Sequence, residues 1–325
     1  MIRFSALSAK LPEVTMINNE REITESDICR YFAKRDVNSH KGSFGYVALV
    51  GGSLNYSGAI RLSALANCAM RSGAGVVTIA LPRSLSYLIA PEILECTIFP
   101  LSDHDGEVIC STDEMDALMN RVSVIAYGMG IGRSNEAGKC LEYLLCNFTG
   151  TLIVDADGLN ALSEMNPAII DSSPCRLVLT PHPKEFSRLS KLAVSEILSN
   201  PAQHASDYAA SHNATILLKG HTTIITDGAE IFTSGTGCAG MATAGSGDVL
   251  SGVLAALFGA HPNEPTALTA AAGAYVTGLA GEIAQSKTCD ICMIASDTAS
   301  ALCEAIGLLQ AKQASYGQSR ENATI

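Results

Sequence analysis

The clearest chemical signature lies in Thr243-Ala-Gly-Ser-Gly-Asp248, followed by the apolar run Val249 to Phe258. Gly245 and Gly247 can take backbone angles closed to other residues. Successive N–H groups around Ser246 can then point into one concavity at the positive end of a helix, a geometry that holds an anion, typically a phosphate. Asp248 is out of place beside a resting phosphate, which repels it. It has a use if it takes a proton from a hydroxyl about to attack that phosphate. A plain helix start, with Ser246 or Asp248 as cap and the glycines in a turn, explains the same residues. The approach Gly235-Thr-Gly-Cys-Ala-Gly-Met-Ala242 favours a ligand, because a long run of small residues lets a molecule lie against bare backbone.

Other loops carry weaker signals. Asp155 and Asp157 follow an apolar run and suit either a turn and helix cap or a Mg²⁺ ion beside phosphates, with Asp155 the better candidate for the metal. His182 stands between Pro181 and Pro183 with Glu185 close by. The prolines stiffen that loop and fix where the imidazole points, which suits substrate contact. No second histidine stands at metal-ligand spacing, so zinc is not expected. Lys219 precedes Gly220 and is either a surface lysine or a phosphate contact. Gly128-Met-Gly-Ile-Gly132 lacks the full G-x-G-x-x-G spacing and reads equally as a turn or as a loop that admits a ligand. No Ser-His-Asp set is present in a defensible arrangement.

These residues need a scaffold that gathers loops. Lys41 to Val50 reads as a short loop running into a buried strand. It is broken by Gly51-Gly-Ser-Leu-Asn-Tyr-Ser-Gly58 and followed by a helix over about 59–71 that includes Ile60, Leu62, Leu65 and Ala66. Val76 to Ala80 is the next strand, completing a unit that gives a parallel pair with a right-handed crossover. Strands follow over 122–126, 151–154, 176–180 and 214–219. Residues 220–228 read as a hairpin partner with Asp227-Gly228 at its turn. Helices are expected near 247–258, 266–284 and 296–307. Polar loops that each follow an apolar strand line one edge of one sheet, which predicts a single three-layer α/β domain. Residues 1–38 read as a polar lead-in with a short helix over 20–27.

The chain has 325 residues, 47% hydrophobic and 16% charged, ample for a large core. Its net charge of −11 argues against nucleic-acid and membrane-surface binding. The N-terminus carries Glu13 and Glu20 and lacks a continuous apolar core, so no secretory signal is expected. The apolar stretches near 249–260 and 266–281 are rich in Ala and Gly and fall short of a membrane span. Eleven cysteines, an odd number scattered in apolar segments, suit buried thiols in a reducing cytoplasm. Cys68, Cys238 and Cys303 read as small core residues. Cys289-Asp-Ile-Cys292 is a lone C-x-x-C, and the lack of a second pair weighs against a metal or redox role for it. The Ala/Gly-rich stretch 266–284 can pack closely against a neighbour, and a homo-oligomer, a tetramer, is expected.

Seven motifs stand in order: Lys41-Gly-x-Phe-Gly, Gly51-Gly-Ser-x-x-Tyr-Ser-Gly-Ala59, Arg71-Ser-Gly-Ala-Gly-Val-Val-Thr, Asp155-Ala-Asp-Gly-Leu-Asn, Leu179-Thr-Pro-His-Pro-Lys-Glu, Leu218-Lys-Gly and Gly240-Met-Ala-Thr-Ala-Gly-Ser-Gly-Asp248. Together they resemble the ADP- or ATP-dependent NAD(P)H-hydrate dehydratases, a branch of the ribokinase-like superfamily. Met293-Ile-Ala-Ser-Asp297 also fits that family. The resemblance covers about 36–310, leaving an N-terminal extension (1–35) and a flexible tail (311–325), with no room for the epimerase domain that some members carry. It implies the ribokinase-like three-layer fold and repair of hydrated NADH or NADPH: a phosphoryl group passes to the ring hydroxyl and phosphate is then eliminated. It further implies ADP as the favoured donor over ATP, with Mg²⁺. Ala59, Gly128, Gly130, Gly132, His182 and Asp248 would contact the hydrate, with Asp248 as the base. Lys219, Gly220, His221, Thr222, Thr223, Gly245, Ser246 and Gly247 would contact the nucleotide. Met129 stands where the family usually has proline, which implies a softer loop. A kinase of the same superfamily, acting on hydroxymethylpyrimidine or hydroxyethylthiazole, shares the Gly-x-Gly-Asp logic. A silent nucleotide-binding regulator is a third reading, against which Asp248 speaks.

Overall fold

Short apolar runs become strands here because both of their faces are covered. The computed structural model describes residues 20–64 and 69–322, with side chains through 314. Leu65, Ala66 and Cys68, expected in a helix face and in the core, lie outside the described residues. One ten-stranded sheet is built from β1 (Glu20–Glu22), β2 (Tyr46–Val50), β3 (Val76–Pro82), β4 (Thr97–Leu101), β7 (Val124–Tyr127), β8 (Thr151–Val154), β9 (Arg176–Leu179), β10 (Ala214–Leu218), β11 (Thr223–Thr226) and β12 (Ile231–Ser234). A separate small hairpin joins β5 (Asp103–His104) to β6 (Glu107–Val108). The order across the large sheet is β1-β12-β11-β10-β9-β8-β7-β2-β3-β4. Only β11 runs antiparallel to its neighbours.

Side chains alternate between two cores, as strand geometry requires. Val47 and Leu49 face a layer made by the helices Ser57–Ala64, Ser246–Ala260, Thr266–Lys287 and Ala295–Asn322. Ala48 and Val50 face the helices Asn135–Asn147, Asp157–Glu164, Pro183–Ser190 and Pro201–His212. This is the expected three-layer α/β arrangement. A mostly parallel sheet covered on both faces explains why its strands read as continuous apolar runs.

The differences from expectation lie at the edges. Residues 20–27 divide into β1 and the short helix Glu25–Ile28. The polar Glu-Arg-Glu run shows no apolar alternation, but its backbone pairs in parallel with β12, and Ile23 N donates to Thr233 O at 2.8 Å. Asp227 and Gly228 turn between β11 and β12, a strand the sequence reading did not separate, while the turn joining β10 to β11 is 219–222. The last helix continues to Asn322, past residue 310 where a tail was expected to begin. The small residues of Thr266–Lys287 are taken up within the chain. A Cβ on Gly273 would lie 2.5 Å from Leu254 Cδ2, and one on Gly281 would lie 2.2 Å from Met241 Sδ. That stretch therefore gives no separate argument for packing against a second copy.

Candidate active site

Because β2, β7, β8, β9 and β10 are mutually parallel, the loops that follow them meet at one sheet edge. Ligands bind at this edge in open α/β sheets. The chain returns to it after β12, and the helix Ser246–Ala260 begins there. Gly245 is its N-cap at φ +93°, and a Cβ on it would lie 2.5 Å from Leu62 Cδ1. No side chain caps this helix start. The Ser246 hydroxyl donates instead to Met241 O at 2.8 Å. The ordinary-cap reading of Ser246 or Asp248 therefore fails; Ser246 N donates to Thr243 O at 3.5 Å, and the Gly247 and Asp248 N–H groups that follow are left for an anion.

Asp155, at the end of β8, is 1% exposed. Its Oδ1 accepts from Thr180 Oγ1 at 2.8 Å and from Lys219 Nζ at 2.9 Å, and its Oδ2 accepts from Ser251 Oγ at 2.8 Å. Burial works against the charge. The Lys219 ammonium and the hydrogen bonds from Lys219, Thr180 and Ser251 outweigh it and hold the carboxyl below its usual range. Burial also opposes the charge on Lys219, but Asp155, Glu185 and Asp248 keep it an ammonium, with its pKa raised. A Cβ on Gly247 would lie 3.3 Å from Lys219 Nζ and 3.4 Å from Asp155 Oδ2, so the bare glycine lets the helix start approach this ion pair.

These contacts change the expectation for Mg²⁺. Both Asp155 oxygens are occupied, one of them by an ammonium and a hydroxyl and the other by a hydroxyl. Asp155 is an anchor for Lys219 and does not fit a metal ligand.

Asp248 is half-buried beside this pair. Burial first, then the Asp155 carboxylate, push its pKa up to about 7 against the pull of Lys219, with Asp157 adding to the push. A carboxyl poised near neutral pH is suited to general-base work.

The remaining loops interlock. A Cβ on Gly128 would lie 2.1 Å from Asp155 O, and one on Gly130 would lie 2.8 Å from Ala59 Cβ, so both positions exclude a side chain. Gly132 N donates to Asp157 Oδ2 at 3.1 Å. Met129 is fully buried and its carbonyl accepts from Gly52 N at 2.8 Å. The softer loop expected at this position is instead tied into the core. His182 is the N-cap of the helix Pro183–Ser190: its Nδ1 accepts from Lys184 N at 3.1 Å and Glu185 N at 3.2 Å, while Glu185 Oε2 accepts from His182 N at 2.8 Å. Burial, then Lys219 and Arg188, lower the imidazole pKa. Its Nε2 therefore carries the proton of the neutral ring, 3.4 Å from Glu185 Oε1.

A cavity of about 510 Å³ opens beside the helix start. Its walls include Lys219, Gly220, His221, Thr223, Ser246 and Gly247 from the expected nucleotide set. Thr222 and Gly245 do not line it. Sequence reasoning missed Thr180 and Ser251, the two hydroxyls that fix Asp155. It also missed Ala156, held at φ 51° and ψ −118°, a region that normally belongs to glycine. That turn separates Asp155, aimed inward, from Asp157, aimed at Gly132. An alanine between two aspartates carries no signal of it.

The sequence profile of the NAD(P)H-hydrate dehydratases matches residues 47–304. The chain belongs to the NAD(P)H-hydrate dehydratase family. A bifunctional NAD(P)H-hydrate repair enzyme of Moorella thermoacetica is 37% identical over 284 residues, covering 86% of this chain and 52% of that protein. The chain thus spans about half the length of that relative. An ADP-dependent (S)-NAD(P)H-hydrate dehydratase of Streptococcus thermophilus is 37% identical over 220 residues, 67% of this chain and 74% of that protein. The crystal structure of the ADP/ATP-dependent NAD(P)H-hydrate dehydratase of Bacillus subtilis, co-crystallised with ATP/Mg²⁺, superposes with a TM-score of 0.77 at 25% identity, covering 90% of this chain and 99% of that one. The family's architecture is the ribokinase-like one.

Proposed function

We propose that this chain is an ADP-dependent (S)-NAD(P)H-hydrate dehydratase, a carbon–oxygen lyase that repairs hydrated NADH and NADPH. The observation that carries the reading is Asp248: a carboxyl raised to about 7 at an uncapped helix start that opens on a cavity walled by Lys219 and Gly247. The adenine nucleotide occupies that cavity, its phosphates facing the N–H groups after Gly245 and the Lys219 ammonium. The hydrate lies across the helix start, against Ala59, the Gly128–Gly132 loop and His182. Asp248 removes the proton from the ring hydroxyl, whose oxygen attacks the terminal phosphorus, and the bond to the nucleotide's bridging oxygen breaks. The helix N–H groups stabilise the equatorial charge in flight. Hydroxide is a poor leaving group and phosphate a good one. The C–O bond then breaks, a ring proton is lost, and the reduced nicotinamide is restored with AMP and phosphate. Mg²⁺ would come with the nucleotide, held by its phosphates, and would offset their charge. Among the described residues no helix is long and apolar enough to cross a membrane, and we place the enzyme in the cytoplasm. Self-association as a tetramer is our reading of Tyr87, Leu88 and Leu94, large apolar side chains left 76%, 63% and 83% exposed.

The test is incubation with hydrated NADH and ADP. Recovery of the reduced-nicotinamide absorbance together with AMP is expected. Accumulation of a phosphorylated hydrate without that recovery would identify a kinase and overturn the reading.

A further inference from the structure

Between the helices Thr266–Lys287 and Ala295–Asn322 the chain makes a tight turn closed by Met293 N donating to Cys289 O at 3.1 Å. It brings Cys289 Sγ to 2.8 Å from Cys292 Sγ, both side chains being exposed. The thiol of Cys292 and the turn amides of Cys292 and Ile291 lower the Cys289 pKa, while Cys292, facing that thiolate, is raised. One sulfur is thus prepared to attack and the other to follow. Other thiols are less suited. Cys140 and Cys175 are buried and pushed up by burial, and the exposed Cys303 accepts a hydrogen bond from Arg71.

The turn rests on the wall of the nucleotide cavity. Met293, next to Cys292, is 3% exposed, and its Sδ lies 3.9 Å from Cys238 Sγ. A Cβ on Gly240 would lie 2.7 Å from that same Sδ, so the 238–241 backbone sits directly against it. Cys238, Ala239 and Met241 line the cavity.

We propose that Cys289 and Cys292 form a reversible dithiol–disulfide couple, exchanging with small-molecule disulfides, whose closure moves Met293 against the 238–241 wall and changes nucleotide affinity. The Cys289 thiolate attacks one sulfur of the small disulfide, forming a mixed disulfide and expelling a thiolate that takes up a proton. Cys292 loses its proton and attacks the Cys289 sulfur, expelling the second thiolate. Two protein thiols are oxidised and one disulfide is reduced to two thiols. The coupling to affinity rests on the nucleotide reading of the cavity; the thiol exchange does not.

The experiment exposes the full chain to glutathione disulfide and reads peptide masses without reduction. An internal Cys289–Cys292 bond, reversed by dithiothreitol, is expected, and C292S should trap glutathione on Cys289. Glutathione on either cysteine of the wild type with no internal bond, or no reaction at this turn, would overturn the couple. A fluorescent ADP analogue should then bind the oxidised and reduced forms with affinities that differ several-fold, and bind the C289S/C292S variant identically under both treatments. Equal affinities in the wild type would overturn the coupling. No binding to the reduced protein would instead overturn the cavity assignment, with the masses still deciding the thiol chemistry.

Discussion

Replacing Asp248 with Asn should abolish turnover and stabilise the protein. Burial and the Asp155 carboxylate lift the carboxyl from 3.8 to about 7, so the folded state holds a proton that the unfolded chain has already released. Between those two values folding takes up a proton, and stability falls as pH rises. The gap, at about 1.4 kcal/mol per tenfold, bounds the cost of the charge at about 4 kcal/mol. Partial contact with water reduces it to about 2–4 kcal/mol. Asn has the same shape and no charge. D248N should therefore match the wild type near pH 4, gain progressively above it, and show the full difference from pH 7 upward. Urea unfolding at pH 5 and pH 8 measures this directly, and nucleotide titration should show that binding survives. Equal stabilities at pH 8, or a larger gain at pH 5 than at pH 8, would refute the electrostatic account of this residue. Retained turnover would refute its role as base.

Turnover should rise with pH through about 7 as Asp248 loses its proton, and a flat wild-type profile from pH 5 to 8 would exclude that group. Asp155→Ala leaves the Lys219 ammonium without its closest partner and should cost about 3–5 kcal/mol in denaturant unfolding. Gly245→Ala places a Cβ against Leu62 at φ +93° and should cost about 1–3 kcal/mol while weakening nucleotide binding, read by calorimetry. His182→Ala removes the cap of the helix Pro183–Ser190 and should cost about 1 kcal/mol of stability. A raised KM for the hydrate with unchanged nucleotide affinity would separate its substrate contact from its capping.

The strand-then-loop rhythm made the sheet legible, because parallel strands covered on both faces must be apolar throughout. It also made the site's edge legible, since parallel strands deliver their loops to one side. Lys219 and Gly247 were visible as residue types but not as neighbours: their meeting at Asp155 depends on how β8, β10 and the helix Ser246–Ala260 converge. Thr180 and Ser251 were invisible for the same reason, one 25 residues and the other 96 residues from the carboxylate they fix. Asp155 looked like a metal ligand because a strand-end aspartate fits that role until its donors are known. His182 was read from its prolines as a rigid contact, whereas its ring nitrogen is engaged in starting a helix. β1 escaped notice because an edge strand is held by backbone pairing, which leaves no mark on residue choice.

That edge strand bears on how the protein can be trimmed. A polypeptide beginning at residue 36, where the motifs suggest the enzyme begins, would lack Glu20–Glu22 and bare the outer backbone of β12. It would also lose Ile23, Ile28, Tyr31 and Phe32, all at most 6% exposed, and the Tyr31 carbonyl that meets His261 at 3.0 Å. An unpaired rim beside a stripped apolar face invites aggregation. Whoever expresses this protein in shortened form should keep the segment from residue 20, since the sheet and its helices lean on residues that no motif marks.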